Sequence, residues 1–369
     1  MSRSKLPLTE SHEIFRASAR RFFESECAPN QRVWEKEGGV PRAVWQRAGE
    51  LGFLCPRVGE NYGGFDADFL YSAIVAEEQA RAGVVAPALS QSDIVAAYIA
   101  AYGSEMQKRA LLQHIAAGTA LGAPALDGKM TARREGQHYV LNGRADFVAG
   151  GFDAHFVIVA AKTGEGSTLF VVETGKTEGL GKSKAIKKLG QAASGTVDLV
   201  FENVRLPGAT LLGEREGLGA AQIAARRTEE RLLAAAAAIA AIERALQITT
   251  DYVKERRAFK QRIIDFQNTR FRLAEAKTEA VALRIFLERC LRGYLDGTLD
   301  PSDAAALHYA AADRQSAVVD DCVQLHGGYG YILDYAIARM WIDGRLAKIL
   351  ACTNETVRDI VADKQTVRA

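Results

Sequence analysis

A chain of 369 residues is long enough for two or three packed units with ample apolar cores, which excludes a small domain that depends on disulfide or metal staples. Lys plus Arg number 47 against 45 Asp plus Glu, and the resulting formal charge of +2 sets up no field that points to nucleic acid or to an anionic membrane. Cys27, Cys55, Cys290, Cys322 and Cys352 have no paired spacing, and no apolar run reaches the ~20 residues of a membrane span, so the expectation is a soluble cytoplasmic protein with reduced thiols.

From His12 to about Ala117 the pattern is helical. Apolar residues recur at three and four positions in Ile14 to Glu24, Ala43 to Leu54 and Leu70 to Ala82, with breaks at Pro29, Pro41 and Gly63-Gly64. A further helical stretch runs from Ser92 to Ala117, interrupted at Gly103, so residues 1–117 are expected to form an all-α domain. The texture changes near Gly118. Tyr139 to Leu141, His155 to Val159, Thr168 to Val172 and Thr196 to Phe201 alternate or cluster β-branched and aromatic residues between frequent glycines, which predicts a central antiparallel β barrel or sandwich over residues 118–212. After Gly219 four helical blocks follow: Ala220 to about Lys254, Phe266 to Leu291, Ser302 to Leu325 and Ala347 to Ala362. They predict a C-terminal four-helix bundle over residues 213–369. The Ala-rich run Ala234 to Ala241 offers a small-residue face that a neighbouring helix can approach closely. The fold class is therefore α+β and multidomain.

Two segments of the bundle carry recognisable chemistry. Arg256, in the stretch Tyr252 to Phe259, can donate paired hydrogen bonds to a pyrophosphate, and Gly327-Gly328, in the stretch Gln324 to Tyr331, let backbone amides come close to phosphate oxygens. The bland reading makes Arg256 a solvated helix charge and the glycines a helix-ending turn. Other segments are mainly architectural: Leu51-Gly52-Phe53, Glu60 to Gly64, Lys188 to Ser194, and Phe201 to Pro207. Gly181-Lys182-Ser183 lacks the upstream glycine of a phosphate loop, and the six histidines show no metal spacing, so neither hydrolase nor metalloenzyme is supported.

Taken together, these segments and the α–β–α order resemble the acyl-CoA dehydrogenase family along nearly the whole chain. The resemblance implies the acyl-CoA dehydrogenase fold, FAD as cofactor, an acyl-CoA thioester as substrate, and an electron-transferring flavoprotein as acceptor. It also implies a tetramer in which the ADP half of FAD is held across a subunit boundary. The positions carried over to that role are Arg256, Phe259, Ile263, Phe266, Gln267, Gln324, Leu325, Gly327, Gly328 and Thr353, with Phe147 against the flavin ring. Lys260 departs from the family, which usually has glycine after the Phe.

The family's reaction removes a weakly acidic proton next to the thioester, which calls for a desolvated carboxylate. Most members take it from a Tyr-Glu-Gly-Thr segment. Here the matching residues are Leu350-Ala351-Cys352-Thr353, without a glutamate. The isovaleryl-CoA and long-chain types instead carry Glu-Arg-Leu at the first bundle helix, and Glu230-Arg231-Leu232 is similar to that pattern. Glu230 is the candidate base and Arg231 its neighbour near the acyl-CoA; the competing reading is a surface glutamate in a charged stretch, like Glu229.

Two flavin-facing elements depart from the family. Its Thr-Glu-Pro-x-Ala-Gly-Ser-Asp loop is replaced by a shorter Leu121 to Lys129, and its Trp-Ile-Thr-Asn by Phe147-Val-Ala149-Gly150, where Ala149 lacks a hydroxyl. The losses fall on the ring side while the ADP side is kept. This suggests a chain that supplies the ADP-binding half of the site to an intact second acyl-CoA dehydrogenase-like subunit in a hetero-oligomer. A self-sufficient homo-oligomer using Glu230 and a scaffold that lost the flavin are the alternatives.

Overall fold

The computed structural model describes residues 6–86, 88–349 and 353–366. The chain packs as two compact units: one is Met1–Pro29, Ala73–Val84 and Thr228–Ala369, the other Asn30–Ser72 and Val85–Arg227.

The first unit is helical. It contains α1 (Glu10–Phe22), the later part of α4 (Phe69–Arg81), most of α7 (Gly219–Glu255), α8 (Gln267–Leu295), α9 (Pro301–His326), α10 (Ala336–Gly344) and α11 (Asn354–Thr366), with a small hairpin of β8 (Arg257–Ala258) and β9 (Gln261–Arg262) after α7. α7 runs unbroken because nothing between Ala220 and Glu255 is proline or glycine, and its alanines favour the helix. Its buried face alternates the large Leu232, Ile239 and Ile242 with the small Ala235, Ala236 and Ala240. α7 also holds an 18-residue window apolar enough to cross a membrane, against the expectation that no stretch comes near; 67% of that window is buried inside the protein, as in a core helix.

α9 starts where Asp300 caps it, its Oδ1 accepting from the Ser302 amide at 2.9 Å, with Pro301 in the first turn. It stops at Gly327, whose φ of 59° and ψ of −138° suit only glycine. The helix expected from Ala347 is different. Arg345–Lys348 is a 3-10 turn after α10, positions 350–352 lie outside the described residues, and α11 begins at Asn354. Thr353 provides the start: its Oγ1 accepts from the Thr356 amide at 3.4 Å.

An arginine–glutamate network ties four of these helices. Arg16 on α1 donates to Glu77 Oε2 on α4 at 2.7 Å, and Arg20 donates to Glu78 at 2.8 and 3.1 Å. Arg284 on α8 makes two bonds of 3.0 Å to Glu243 on α7 and a further one to Glu77, while Arg81 reaches Glu243 at 2.7 Å. Such paired guanidinium–carboxylate contacts hold geometry better than single ones.

The second unit joins α2 (Gln31–Glu37), α3 (Arg42–Glu50), the start of α4, α5 (Leu89–Tyr102) and α6 (Glu105–Ala116) to a seven-stranded sheet. The break expected at Gly103 separates α5 from α6, and Ser104 and Gln107 cap α6 reciprocally. The strands are β1 (Gly122–Ala125), β2 (Lys129–Glu135), β3 (His138–Val148), β4 (Phe156–Thr163), β5 (Gly166–Glu173), β6 (Leu180–Lys182) and β7 (Val197–Pro207), ordered β1-β4-β2-β3-β7-β6 with β5 on β4. Most pairs are antiparallel, as expected. β4 is the exception, taking β1 and the Thr131 position of β2 as parallel neighbours, because the chain crosses to it from β3 through residues 149–155 instead of a tight hairpin. Alternate residues of these strands, among them Tyr139, Leu141, Val157, Val159, Phe170 and Leu199, form the core.

A nucleotide-sized cavity and a buried glutamate pair

Where α7 ends, the Arg256 amide still donates to the Tyr252 carbonyl at 2.9 Å, and the chain then doubles back through β8 and β9. The two-residue turn is Phe259-Lys260, with φ of 50° and 68°, so both residues are left-handed. This turn exposes the Phe259 ring, 90% accessible, edge-on to Phe266 at 6.4 Å between centroids. Across the opening lies the end of α9. Together they bound a cavity of about 1140 Å³, enough for much of a dinucleotide.

The cavity gathers eight of the residues singled out from sequence: Arg256, Phe259, Ile263, Phe266, Gln324, Leu325, Gly327 and Gly328. Three others fall elsewhere. Gln267 is the first residue of α8 and is not among the lining residues. Thr353 spends its hydroxyl on the start of α11, and Phe147 belongs to the sheet unit.

The lining is suited to a phosphate-bearing ligand. Arg256 is held with its guanidinium 5.1 Å from the centre of the Tyr329 ring, which fixes the charge while leaving its edge N–H groups available. A Cβ placed on Gly327 or Gly328 would meet nothing within 4 Å, so the space beside this backbone is open to a ligand. The third glycine differs: a Cβ at Gly330 would come within 2.4 Å of the Val323 carbonyl oxygen, a packing requirement. Tyr252 stacks on His326 at 4.3 Å and donates to its carbonyl at 3.2 Å, locking the end of α9 to α7. Burial pushes the His326 imidazole below its ordinary value. Sequence reading missed Tyr252, His326 and Arg272 as lining residues. Arg272 lies on α8, paired to Asp321, and no local pattern marks it.

Glu230 and Arg231 sit apart from that lining, on α7. The competing picture of a surface glutamate is overturned: Glu230 is 6% exposed, Arg231 7% and Glu229 2%. The helix begins at Gly219, well before these residues, so they occupy its interior turns. Glu229 accepts a 2.6 Å hydrogen bond from the Tyr294 hydroxyl at the end of α8. Arg231 lies near His308 of α9, whose imidazole is driven down to about 4 by burial and then by that guanidinium.

In the sheet unit, β1 and β2 are joined by residues 126–128 alone, and Asp127 in that connector pairs with Arg227 at 2.9 Å. Phe147 stands on a bulge of β3, 71% exposed with φ of 57°, its amide donating to Asp198 Oδ1 at 2.9 Å.

A helical, sheet and helical chain with a nucleotide-sized cavity and a separate buried carboxylate defines a cofactor-dependent enzyme class. Three family profiles match in order: acyl-CoA dehydrogenase, N-terminal domain, over residues 9–119; middle domain over 117–204; and C-terminal domain over 217–366. The long-chain specific acyl-CoA dehydrogenase, mitochondrial, of Sus scrofa is 38% identical across 96% of this chain and 86% of its own. The crystal structure of an acyl-CoA dehydrogenase from Geobacillus kaustophilus matches with a TM-score of 0.95 and 36% identity, over 98% of this chain and 100% of that one. A glutaryl-CoA dehydrogenase from Mycobacterium smegmatis in complex with FADH2 matches with a TM-score of 0.91 and 25% identity, over 97% and 95%. The chain belongs to the acyl-CoA dehydrogenase family, and with it to the FAD-dependent oxidoreductases.

Proposed function

We propose that the chain carries out α,β-desaturation of an acyl-CoA thioester with Glu230 as the base. The observation that carries this reading is the burial of the Glu230 carboxylate within α7, in a Glu-Arg-Leu context like that expected of long-chain and isovaleryl types. Held on the helix out of bulk water, the carboxylate takes the proton from the carbon next to the thioester. Arg256 and the backbone at Gly327 and Gly328 would hold the pyrophosphate of FAD, with Phe259 and Phe266 lining the same cavity. FAD, when bound, supplies the hydride acceptor. The acyl group is proposed to be large, because the Leu232 to Ala241 stretch carries no bulky aromatic side chain.

A second reading rests on the brevity of the β1–β2 connector and on Ala149. A ring side with so few donors fits a chain that supplies its ADP-binding half to an unlike, intact subunit. Both readings keep an electron-transferring flavoprotein as acceptor.

The purified chain decides between them. One flavin per subunit in the chain alone, with turnover lost by about a thousandfold in Glu230→Gln and flavin retained, supports the first. Flavin that appears only when an unlike partner is co-purified, at one per pair, supports the second. Undiminished turnover in Glu230→Gln rejects Glu230 as base.

A further inference from the structure

We propose that Tyr294 is a positioning residue for the Glu230 base and acts through the Glu229 carboxylate. The inference rests on the reading of Glu230 just given.

Methyl groups dominate the face of α7 from Ala234 to Ala241, where Ala235, Ala236 and Ala240 are fully buried. Such a face allows neighbouring helices to approach closely, with Leu232, Leu233, Ile239 and Ile242 buried beside it. Polar anchors add to the restraint that this packing supplies. On the side of α7 that faces α8, Glu243 is gripped by Arg284 through two 3.0 Å bonds and Glu229 is held by Tyr294 at 2.6 Å. They lie about four turns apart, hence on nearly the same face, and α8 meets them in antiparallel order. Together they fix both the rotation and the slide of α7.

Glu230 follows Glu229 and points ~100° further round the helix. A rotation of ~10° carries a carboxylate ~6 Å from the axis sideways by ~1 Å, which is enough to spoil proton abstraction. Tyr294 is the nearer anchor and is well suited to the task, since its side chain has only two torsions and leaves α8 one residue before the helix ends.

Four variants test this on the flavin-loaded chain. Tyr294→Phe and Glu229→Ala are each expected to lower kcat about tenfold, with KM and flavin content unchanged, and the double variant to be no worse than either single one. Glu229→Gln can still accept the tyrosine hydroxyl proton and is expected to retain kcat within about twofold. Exchange of the α-hydrogen of a saturated acyl-CoA into D2O, which reads the base without the oxidation step, should fall in parallel. Multiplicative losses in the double variant, or wild-type kcat in Tyr294→Phe, would overturn the proposal. If Tyr294→Phe fails to fold, equal kcat in Glu229→Ala and Glu229→Gln overturns it as well. Turnover by Glu230→Gln removes the base itself and the proposal with it, a result distinct from an inactive Glu230→Gln beside a normal Tyr294→Phe.

Discussion

A methyl group at Gly328 would touch no protein atom, whereas one at Gly330 would collide with the Val323 carbonyl. Gly328→Ala is therefore expected to leave the unfolding free energy within about 0.5 kcal/mol of wild type while weakening FAD retention, and Gly330→Ala to destabilise the fold directly. Denaturant unfolding of the flavin-free protein beside flavin titration separates the two. His308 makes a second residue-scale prediction. Burial, then the Arg231 charge, hold its folded value near 4, below the ordinary 6.5. The unfolded chain thus takes up the proton first, so this contribution is complete above pH 6.5 and is lost as pH falls from 6.5 towards 4. His308→Gln should flatten that part of the stability profile by on the order of 2–3 kcal/mol, as read by chemical denaturation across the range. Arg256, Gly327 and Gly328 were legible because their chemistry is local, a charge or a bare backbone in a short motif. His308 and Tyr294 were not, since each matters through a helix remote in sequence.

At the scale of single elements, the β8–β9 turn carries avoidable strain. Phe259 and Lys260 both adopt positive φ, and Lys260 has no side-chain role in the cavity lining that would require it. Lys260→Gly should stabilise the protein by about 0.5–1 kcal/mol, the left-handed penalty less the greater freedom of glycine in the unfolded chain. A shift of the urea midpoint without a change in slope checks it. Helix spacing and turn residues made α5, α6, α7 and α9 readable to within a few residues. The parallel partners of β4 were hidden, because alternation tells which face a residue occupies and nothing about which strand lies alongside. The last expected helix, from Ala347, instead begins at Asn354 after the 3-10 turn Arg345–Lys348, with a capping bond at Thr353 that apolar periodicity does not register.

For the whole molecule, the arginine–glutamate network places an acid limit on the helical unit. Burial alone would raise the Glu243 carboxyl, but Arg284 and Arg81 outweigh it and hold the group below its ordinary value. Stability from this pair is complete above the unfolded carboxylate value and is lost as pH falls through the folded one, so unfolding should steepen below about pH 4.5. Glu243→Gln leaves Arg81 without its carboxylate and Arg284 with Glu77 alone, and should cost about 3 kcal/mol at neutral pH while removing that acid dependence. Thermal or urea unfolding at a series of pH values measures both.

The three residues that link β1 to β2 bear on how this molecule can be re-engineered. Loop closure grows only logarithmically with length, so extending residues 126–128 to about ten costs roughly 1 kcal/mol. Brevity at that corner is not something folding demands. A graft of the longer segment from a relative should leave the sheet intact, as judged by circular dichroism. If the missing backbone amides are what limits the ring side, the graft should also tighten the grip on flavin.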